Sequence, residues 1–356
     1  AHHFCCANST VAQCVAETDP RGLAGTPRDR STSPLRCTAE WTGTRTRTLV
    51  AIVGALAAAA AVGPRAMPVR LQMLLSPAKT LNFEPCPACD AAGPRTVPAG
   101  RAEANGLAAV LARLSAAQLK AALGVSDSLA AENFRRFQGW ASAPERQAVV
   151  AYDGMAYAKL EARTLSTADL EWAHLRLVIP SGMWGPLRPF DAIKPYRLEM
   201  ACKALAAPHK NLAAFWRETT TRVLLDAFEP GPGNLLVNCA SDEYSAAVDW
   251  QALSSANVPV VKIDFHQGGR RAAAIHLKHG RGLMVRYIIR NRCDDAEALQ
   301  GFDAEGYCFC AAKSDAAILV FERAAAPAVK KKASAAKKAP AAKKEVPVAK
   351  KRKAAA

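Results

Sequence analysis

The sequence lacks the short motifs by which many enzyme classes are recognised. It contains no GxSxG, Walker loop, HExxH or GxGxxG, so nothing in it indicates a serine hydrolase, a P-loop nucleotidase, a zinc protease or a dinucleotide-binding enzyme. The seven histidines are scattered, and His276 and His279, three residues apart, have no carboxylate nearby to complete a metal site. We therefore assign no catalytic residue, metal ligand or cofactor, and an enzyme is the less favoured class.

Net charge is nearly absent from the middle of the chain, although the whole protein carries a formal +16. Residues 1–72 have eight Arg and no Lys against four acids, and residues 324–356 have ten Lys and one Arg against one Glu. These segments contribute +4 and +10, which leaves only +2 for residues 73–323. A nucleic-acid surface on the middle segment would therefore depend on local clustering of basic residues.

The eleven cysteines do not form a recognisable ligand set. Cys86 and Cys89 make a single CxxC without the second pair that a structural zinc site needs. Cys308 and Cys310 would share one face of a strand, as small core residues do. We interpret these residues as structural thiols in a reducing cytoplasm, and a peroxide-responsive or metal-binding pair is the alternative.

The stretch SGMWGPLRPFDAIKPYRLEM at 181–200 has few backbone alternatives. A helix cannot pass through Pro186 and Pro189, because proline lacks the N–H and clashes with the preceding turn. The apolar residues before it predict a buried strand, and Pro195 suits the start of a helix that continues through YRLEMACKALA. Charged loops on such a rigid scaffold often carry function. The alternative is a stiff connection whose arginines only pair with nearby acids.

The same stretch, read as SGxxGxLRPxDxxxPYRLEM, resembles the signature of the YaaA family of bacterial peroxide-stress proteins. Four more segments resemble that family, in its order: LLSPAKTLNF at 74–83, YDGMAYAKL at 152–160, NCASDEY at 238–244 and HLKHGRGLMVRYIIRNR at 276–292. GFDAEGYCF follows them at 301–309. The resemblance spans residues 73–323. It implies protection from hydrogen peroxide by limiting free intracellular iron and its damage to DNA.

Three segments with different roles are predicted. Residues 1–72 lack a hydrophobic period, and their apolar run at 49–63 has 15 residues, fewer than the roughly 20 of a membrane-spanning helix. Since the family's domain typically opens with Met just ahead of SPAKTL, we expect a non-native or disordered extension, with initiation at Met67 or Met73; a targeting or anchoring segment is the alternative. Mixed helix and strand patterns predict one α+β or mixed α/β domain over 73–323. Residues 324–356 should be a disordered Lys/Ala/Pro-rich tail.

The segment LGVSDSLAAENF at 123–134 resembles a helix-hairpin-helix, through which the family is associated with DNA. Ser115 and Gln118 form a capping-box pattern, Gly124 can end the first helix in the left-handed conformation, and Ser126 or Asp127 can cap the second. The residues that match are Leu123, Gly124, Val125 and Ala130, while Ser126 replaces the second glycine. Free N–H groups at the second helix start would hold phosphate without reading bases. An ordinary packed hairpin is the alternative.

Charged residues from separate motifs define two competing sites. Four arginines are expected to make one cleft positive and to contact DNA: Arg188, Arg197, Arg281 and Arg286. Lysines of the tail are expected to bind DNA by phosphate charge alone, among them Lys330, Lys331, Lys337 and Lys338. The competing site is a charged pocket of the 188–199 and 238–244 loops, lined by Lys79, Tyr152, Glu199, Asp242, Glu243 and Tyr244.

The sequence as a whole predicts a cytoplasmic stress-response protein. It would bind duplex or structured DNA largely without sequence preference and help to limit iron-dependent oxidative damage. The alternative is an uncharacterised enzyme or an iron-handling protein that uses the charged pocket. A third hypothesis makes the tail the sole DNA binder. No membrane association is predicted.

Overall fold

A mostly parallel sheet organises residues 69–84 and 93–325, which the structure, a computed structural model, describes. The strands are β1 (Leu71–Leu75), β2 (Arg146–Gln147), β3 (Leu177–Ser181), β4 (Gly185–Leu187), β5 (Ala192–Ile193), β6 (Leu235–Cys239), β7 (Val260–Gln267), β8 (Arg270–Arg271), β9 (Cys308–Phe309) and β10 (Ile318–Arg323). The main sheet has the order β4–β3–β1–β6–β7–β10–β9, with β8 paired to β7, and β2 pairs with β5. Strands β3, β1, β6, β7 and β10 are mutually parallel, while β4, β8 and β9 pair antiparallel.

Helices connect these strands and confirm the mixed α/β prediction. They are α1 (Arg101–Leu111), α2 (Ala116–Leu123), α3 (Asp127–Gln138), α4 (Ala148–Ala151), α5 (Met155–Leu160), α6 (Thr167–Arg176), α7 (Leu212–Ala227), α8 (Asp242–Ser245), α9 (Trp250–Ser255), α10 (Ala274–Asn291) and α11 (Ala296–Gln300). Short 3₁₀ turns lie at Trp140–Ser142, Ala162–Thr164, Ala304–Gly306 and Ala311–Lys313. Parallel strands need such crossover connections, which is why helices alternate with strands along the chain.

The residue pattern of each strand matches its place in the sheet. Every residue of β1, LQMLL, and of β6, LLVNC, is buried, as expected of strands covered on both faces. The one long polar side chain in β1, Gln72, donates from Nε2 to the Leu224 carbonyl at 2.7 Å. Strand β7, VVKIDFHQ, instead alternates between buried and half-buried residues. Its Lys262 and Asp264 therefore lie on a more open face of the sheet.

The predicted helical hairpin at 116–138 is present. Ser115 Oγ accepts the N–H of Gln118, whose side chain accepts the N–H of Ser115, so the capping box is confirmed. Gly124 has φ +62°, the left-handed conformation expected at the end of α2. Ser126, and not Asp127, caps α3 by accepting the Leu129 N–H. Leu119 is buried, so one side of the hairpin packs on the core.

Two element predictions were wrong. Residues 195–205 form no helix, because burial alternates between the buried Tyr196, Leu198 and Met200 and half-buried neighbours, a pattern of extended chain. The stretches VPVVKIDFH at 258–266 and AAAIHLK at 272–278 predict a hairpin across Gly268 and Gly269. Strand β7 and the short β8 do pair there, but the chain from Ala274 onward is already helix α10. In both segments tertiary contacts decide the conformation over local propensity.

The cysteine prediction is also corrected at two residues. Cys308 is exposed in β9, and Cys310 lies just beyond that strand and is half-buried, so neither is a core residue. The stretches GYCFCAA and AAILVFER predict a closing hairpin, and β9 and β10 do pair antiparallel. The predictions made for Cys86, Cys89, the tail lysines and residues 1–68 concern parts of the chain outside the described residues. No helix among the residues described is long and apolar enough to cross a membrane.

The described fold includes residues ahead of Met73. Val69 forms a bridge with Phe228, and Leu71 pairs with Leu235 in the sheet. Leu71 is only 1% exposed and Gln72 is fully buried. A domain that opened at Met73 would therefore lose two of the five residues of β1.

A truncation tests how much these residues stabilise the fold. We expect a chain that begins at Met67 to have the same free energy of unfolding as the full chain. A chain that begins at Met73 should lose about 3 kcal/mol or more of that free energy, because it lacks at least one buried leucine and its ladder hydrogen bonds. Chemical denaturation of the three chains measures the difference. Equal stability of the Met67 and Met73 chains would contradict the contribution assigned to residues 69–72.

Candidate site at the carboxyl edge of the sheet

The carboxyl ends of β1 and β6 meet at the point where the strand order changes direction. From β1 the chain crosses to β3 on one side, and β6 pairs with the other side of β1. Ser76, directly after β1, accepts the Ser241 N–H on its Oγ at 2.9 Å, and the two Oγ atoms lie 3.3 Å apart. Crevices at such a switch point are the usual ligand positions in open parallel sheets.

An acidic side chain at this edge is shared by two cations. Glu199 Oε1 lies 2.7 Å from Lys79 Nζ and 3.2 Å from Arg197 Nη2. Arg197 also donates from Nη1 to the Lys79 carbonyl at 3.5 Å. The extended chain that replaced the predicted helix explains the pairing, because residues two apart in an extended chain point to the same side. We call Lys79, Arg197 and Glu199 the Glu199 cluster.

The residues after β6 join the Glu199 cluster from the other side. Glu243 Oε1 accepts the Ala201 N–H at 3.4 Å, and Asp242 Oδ1 lies 2.7 Å from Lys262 Nζ. Burial raises the pKa of the Tyr244 hydroxyl well above its usual range, and the neighbouring carboxylate of Glu243 raises it further. The structure therefore brings Glu243 and Tyr244 to the Glu199 cluster, whereas Asp242 pairs with Lys262 on β7.

A chain of buried hydroxyl groups lies beneath this edge. Tyr196 OH is 2.7 Å from Tyr152 OH and 2.7 Å from Ser181 Oγ. Ser181 Oγ in turn accepts the N–H groups of Met183 and Trp184 at 3.2 and 3.1 Å. These bonds fix the start of the proline-rich loop by tying it to the tyrosines.

Burial is the main cause of the altered acidity of these tyrosines. It raises the pKa of Tyr196 to about 12, and it raises the pKa of Tyr152 and of Tyr157 well above the ordinary value of 10.0. The Tyr157 hydroxyl is buried without a hydrogen-bond partner among the described residues, and its ring lies 5.2 Å from that of Tyr152. Sequence reasoning did not single out Tyr157, Tyr196 or Ser181, although all three fall within the family-like segments.

The four arginines expected to share one cleft occupy different environments. Arg188 donates to the carbonyls of His174 and Leu175 at 3.3 and 3.2 Å, at the end of α6. Arg286 donates to the carbonyls of Leu160 and Glu161 at 2.8 and 3.1 Å, at the end of α5. Those two guanidinium groups hold helix ends together. Arg197 belongs to the Glu199 cluster, and Arg281 is buried near the end of β6.

Two cavities adjoin the described fold. One of about 330 Å³ is lined by residues of α4, α5 and the turn that follows, including Tyr152 and Tyr157. Another of about 350 Å³ lies beside β9 and β10 and is lined in part by Cys308 and Cys310. Of the six residues proposed for a charged pocket, only Tyr152 lines either of these two cavities. Among the residues described, no three His, Cys, Asp or Glu side chains are grouped so that they could hold a metal ion.

The chain forms a mostly parallel α/β sheet that has charged residues at its switch point and buried tyrosines beneath them. A family model described as peroxide stress protein YaaA matches residues 71–313, more than half of the chain, and the protein belongs to that family. It is 44% identical to a UPF0246 protein of Caulobacter vibrioides over 256 residues, which cover 70% of this chain and 98% of the relative. UPF0246 proteins of Verminephrobacter eiseniae and Burkholderia orbicola are 40% and 38% identical, with 97% and 98% of their lengths covered and 70% of this chain in each. The resemblance inferred from the motifs is thereby confirmed.

Alkaline pH should destabilise the fold, because it ionises the buried hydroxyl of Tyr196. The folded-state pKa of Tyr196, about 12, exceeds the ordinary value of 10.0. The neutral hydroxyl therefore contributes stability that is fully present below about pH 10 and is lost as pH rises toward 12. Denaturant unfolding measured at several alkaline pH values should show that loss, and in Tyr196→Phe the decline should be shallower.

Tyr196→Phe should lower the free energy of unfolding by about 1–3 kcal/mol at neutral pH, because Tyr152 and Ser181 each lose a buried hydrogen-bond partner. Tyr287→Phe is the matched control, because Tyr287 makes one hydrogen bond, to the Ala298 carbonyl, at the half-exposed edge of α10. An identical pH profile for wild type and Tyr196→Phe would contradict the assignment.

Proposed function

We propose that this peroxide-stress protein binds DNA largely without sequence preference, through the α2–α3 hairpin and the basic segment 324–356. The observation that supports the hairpin is its open turn. A Cβ added at Gly124 would meet no atom within 4 Å, so a phosphate can approach the backbone there. The chain leaves this turn directly into α3, whose N-terminus is exposed at Asp127 and Ser128.

The start of α3 supplies the donors. Ser126 Oγ accepts the Leu129 N–H at 3.4 Å, whereas the N–H groups of Asp127 and Ser128 precede it and, as at any helix start, have no partner inside the helix. Such groups together with the helix dipole favour an anion. Phosphate contacts of this kind position a protein on DNA but carry no base information.

One side chain of the hairpin, the Asp127 carboxylate, repels phosphate electrostatically. The Asp127 carboxylate is 86% exposed and lies 2.9 Å from Lys120 Nζ, so it neutralises the nearest cation and adds negative charge at the helix start. A phosphate that approaches the turn must displace this pair. The hairpin alone should therefore bind DNA weakly, in the micromolar range or above, and the tail should supply much of the affinity.

Charge neutralisation also accounts for the proposed effect on iron. A protein that covers phosphates with Lys and Arg releases the cations condensed on DNA. Ferrous ions are among the cations that phosphates attract, and their release would move peroxide chemistry away from the DNA. This mechanism requires no iron site on the protein itself.

Removal of residues 324–356 should weaken duplex binding and reduce its salt dependence. If five of the eleven basic residues of that segment contact phosphate, the log–log salt slope should fall by about 4 to 5 units. Fluorescence anisotropy with unrelated duplexes at several salt concentrations measures the slope. A tail of unchanged length with its Lys and Arg replaced by Gln should behave like the deletion, and an unchanged slope in both would reduce the segment to a solubilising role.

Asp127→Asn should strengthen DNA binding of the tailless chain about two- to fivefold, because it removes a negative charge from the helix start and frees Lys120. Glu297→Gln is the matched control, since Glu297 is an exposed acid in the first turn of a different helix, α11. Equal gains in both variants would mean that only net charge matters and that the hairpin is not a contact. No detectable binding by a folded tailless chain would favour the tail as the sole binder.

A second candidate function is supported by the convergence at the carboxyl edge. Glu243 accepts the N–H of Ala201, two residues after Glu199, and the two acids are accompanied by Lys79, Arg197 and the buried Tyr244. Paired acids beside basic and phenolic groups are a common constellation for proton transfer. An enzyme or iron-handling protein would use these residues, and Glu199→Gln would then abolish its activity while leaving DNA binding unchanged.

A further inference from the structure

Arg281 is a buried cation that has no counterion among the residues that the structure describes. The residue is 8% exposed, and its Nε is buried with no hydrogen-bond partner among the described residues. Within the described part of the chain its guanidinium makes no hydrogen bond and no ion pair. Buried charges in proteins are normally paired, because the loss of hydration is costly.

Two glycines hold Arg281 in this position. A Cβ on Gly282 would lie 1.9 Å from the Ala156 carbonyl oxygen, and a Cβ on Gly280 would lie 2.6 Å from the Phe265 ring. Helix α10 therefore touches α5 on one side and β7 on the other, at distances that only glycine permits. These contacts fix the helix backbone on either side of Arg281.

The acids nearest to Arg281 are already neutralised. Asp264 accepts two contacts from Arg271 Nε, at 2.9 and 3.0 Å, and Asp242 pairs with Lys262 at 2.7 Å. Burial raises the pKa of the adjacent Cys239 thiol to about 12, so no thiolate balances the charge at neutral pH. The group of charges around Arg281 is left with one excess positive charge.

We propose that Arg281 binds the oxyanion group of a small molecule, a phosphate or a carboxylate, at the carboxyl end of β6. The guanidinium fork matches two oxygens of either group, and a single excess charge suits a monoanion. The position beside the switch point of the sheet is where ligands of parallel α/β folds bind. This inference does not rest on DNA binding and goes beyond it.

The other arginine of the same helix provides the contrast. Arg286 is paired to Glu161 and to two backbone carbonyls, so its charge has a structural partner. If Arg281 had the structural role of Arg286, a carboxylate or backbone carbonyls would be expected to accept hydrogen bonds from it. Their absence among the described residues separates the two roles.

The test compares Arg281→Met with Arg286→Met in the full chain. Thermal melting is followed while sodium chloride is replaced by sodium phosphate or by sodium acetate at constant ionic strength. We expect phosphate, acetate or both to raise the melting temperature of wild type and of Arg286→Met, and to have no such effect on Arg281→Met. The anion that raises the melting temperature shows whether the ligand group is a phosphate or a carboxylate. Broadening of the ³¹P line measures phosphate binding directly.

The behaviour without anion separates a ligand role from a structural one. Removal of an unpaired buried charge should leave the melting temperature of Arg281→Met unchanged or higher, whereas Arg286→Met should melt lower. Arg281→Lys keeps the charge without the fork, and should bind the anion about tenfold more weakly. The proposal is overturned if neither anion stabilises wild type, if Arg281→Met keeps the stabilisation, or if Arg281→Met alone melts well below wild type in chloride.

A DNA arm distinguishes this site from the proposed DNA interface. Duplex affinity of Arg281→Met should equal that of wild type within about twofold, and phosphate that saturates Arg281 should not release DNA at constant ionic strength. A parallel loss of phosphate and DNA affinity would make Arg281 a DNA contact and would overturn the small-molecule assignment. If wild type binds no DNA at all, the phosphate and acetate results still decide the proposal.

Discussion

The close approach of α10 to α5 and to the sheet is the constraint on which the candidate sites depend. It is set by Gly282 against the Ala156 carbonyl and by Gly280 against the Phe265 ring. Any side chain at either position would separate the helix from one of its neighbours, and a packed interior does not deform to absorb such a change. The glycines thus determine where α5 lies, and α5 carries Tyr157 into the layer beneath the carboxyl edge.

From α5 the constraint continues through polar contacts. The Tyr157 ring packs beside Tyr152, Tyr152 bonds to Tyr196, and Tyr196 bonds to Ser181 at the end of β3. Because Tyr196 is tied down, the following chain is extended and Arg197 and Glu199 face the same side. The buried hydroxyls are therefore a scaffold that orients the charged residues above them. A buried network of this kind is worth most when every member is satisfied, and the unpartnered Tyr157 hydroxyl is its open end.

The sequence was sufficient to predict elements governed by local physics. The capping box at Ser115, the left-handed Gly124 and the buried strand β3 all follow from short patterns, and the structure contains them. The extended chain after Pro195 was not predictable in that way, because its residues have good helix propensity and only burial of Tyr196, Leu198 and Met200 overrides it. The arginines show the same division. Their charge is visible in the sequence, but the partner of each one is set by the tertiary fold. Arg188 donates to the Leu175 carbonyl, 13 residues away, and Arg286 donates to the Leu160 carbonyl, 126 residues away.

The two kinds of anion recognition proposed for this protein differ in their physical basis. At the hairpin the donors are exposed backbone groups, so the interaction is weak, screened by salt and indifferent to base sequence. At Arg281 the donor is a rigid guanidinium in a poorly hydrated position, where a matched oxyanion gains more and a mismatched one is excluded. A flexible polyanion such as DNA suits the first surface, since it can bring many phosphates to a shallow, open turn. Lys262 and Arg271, the other cations near Arg281, are each paired with an acid, so Arg281 offers one fork for a single oxyanion. The neutral middle of the chain therefore conceals a local charge at Arg281 that bulk composition does not reveal.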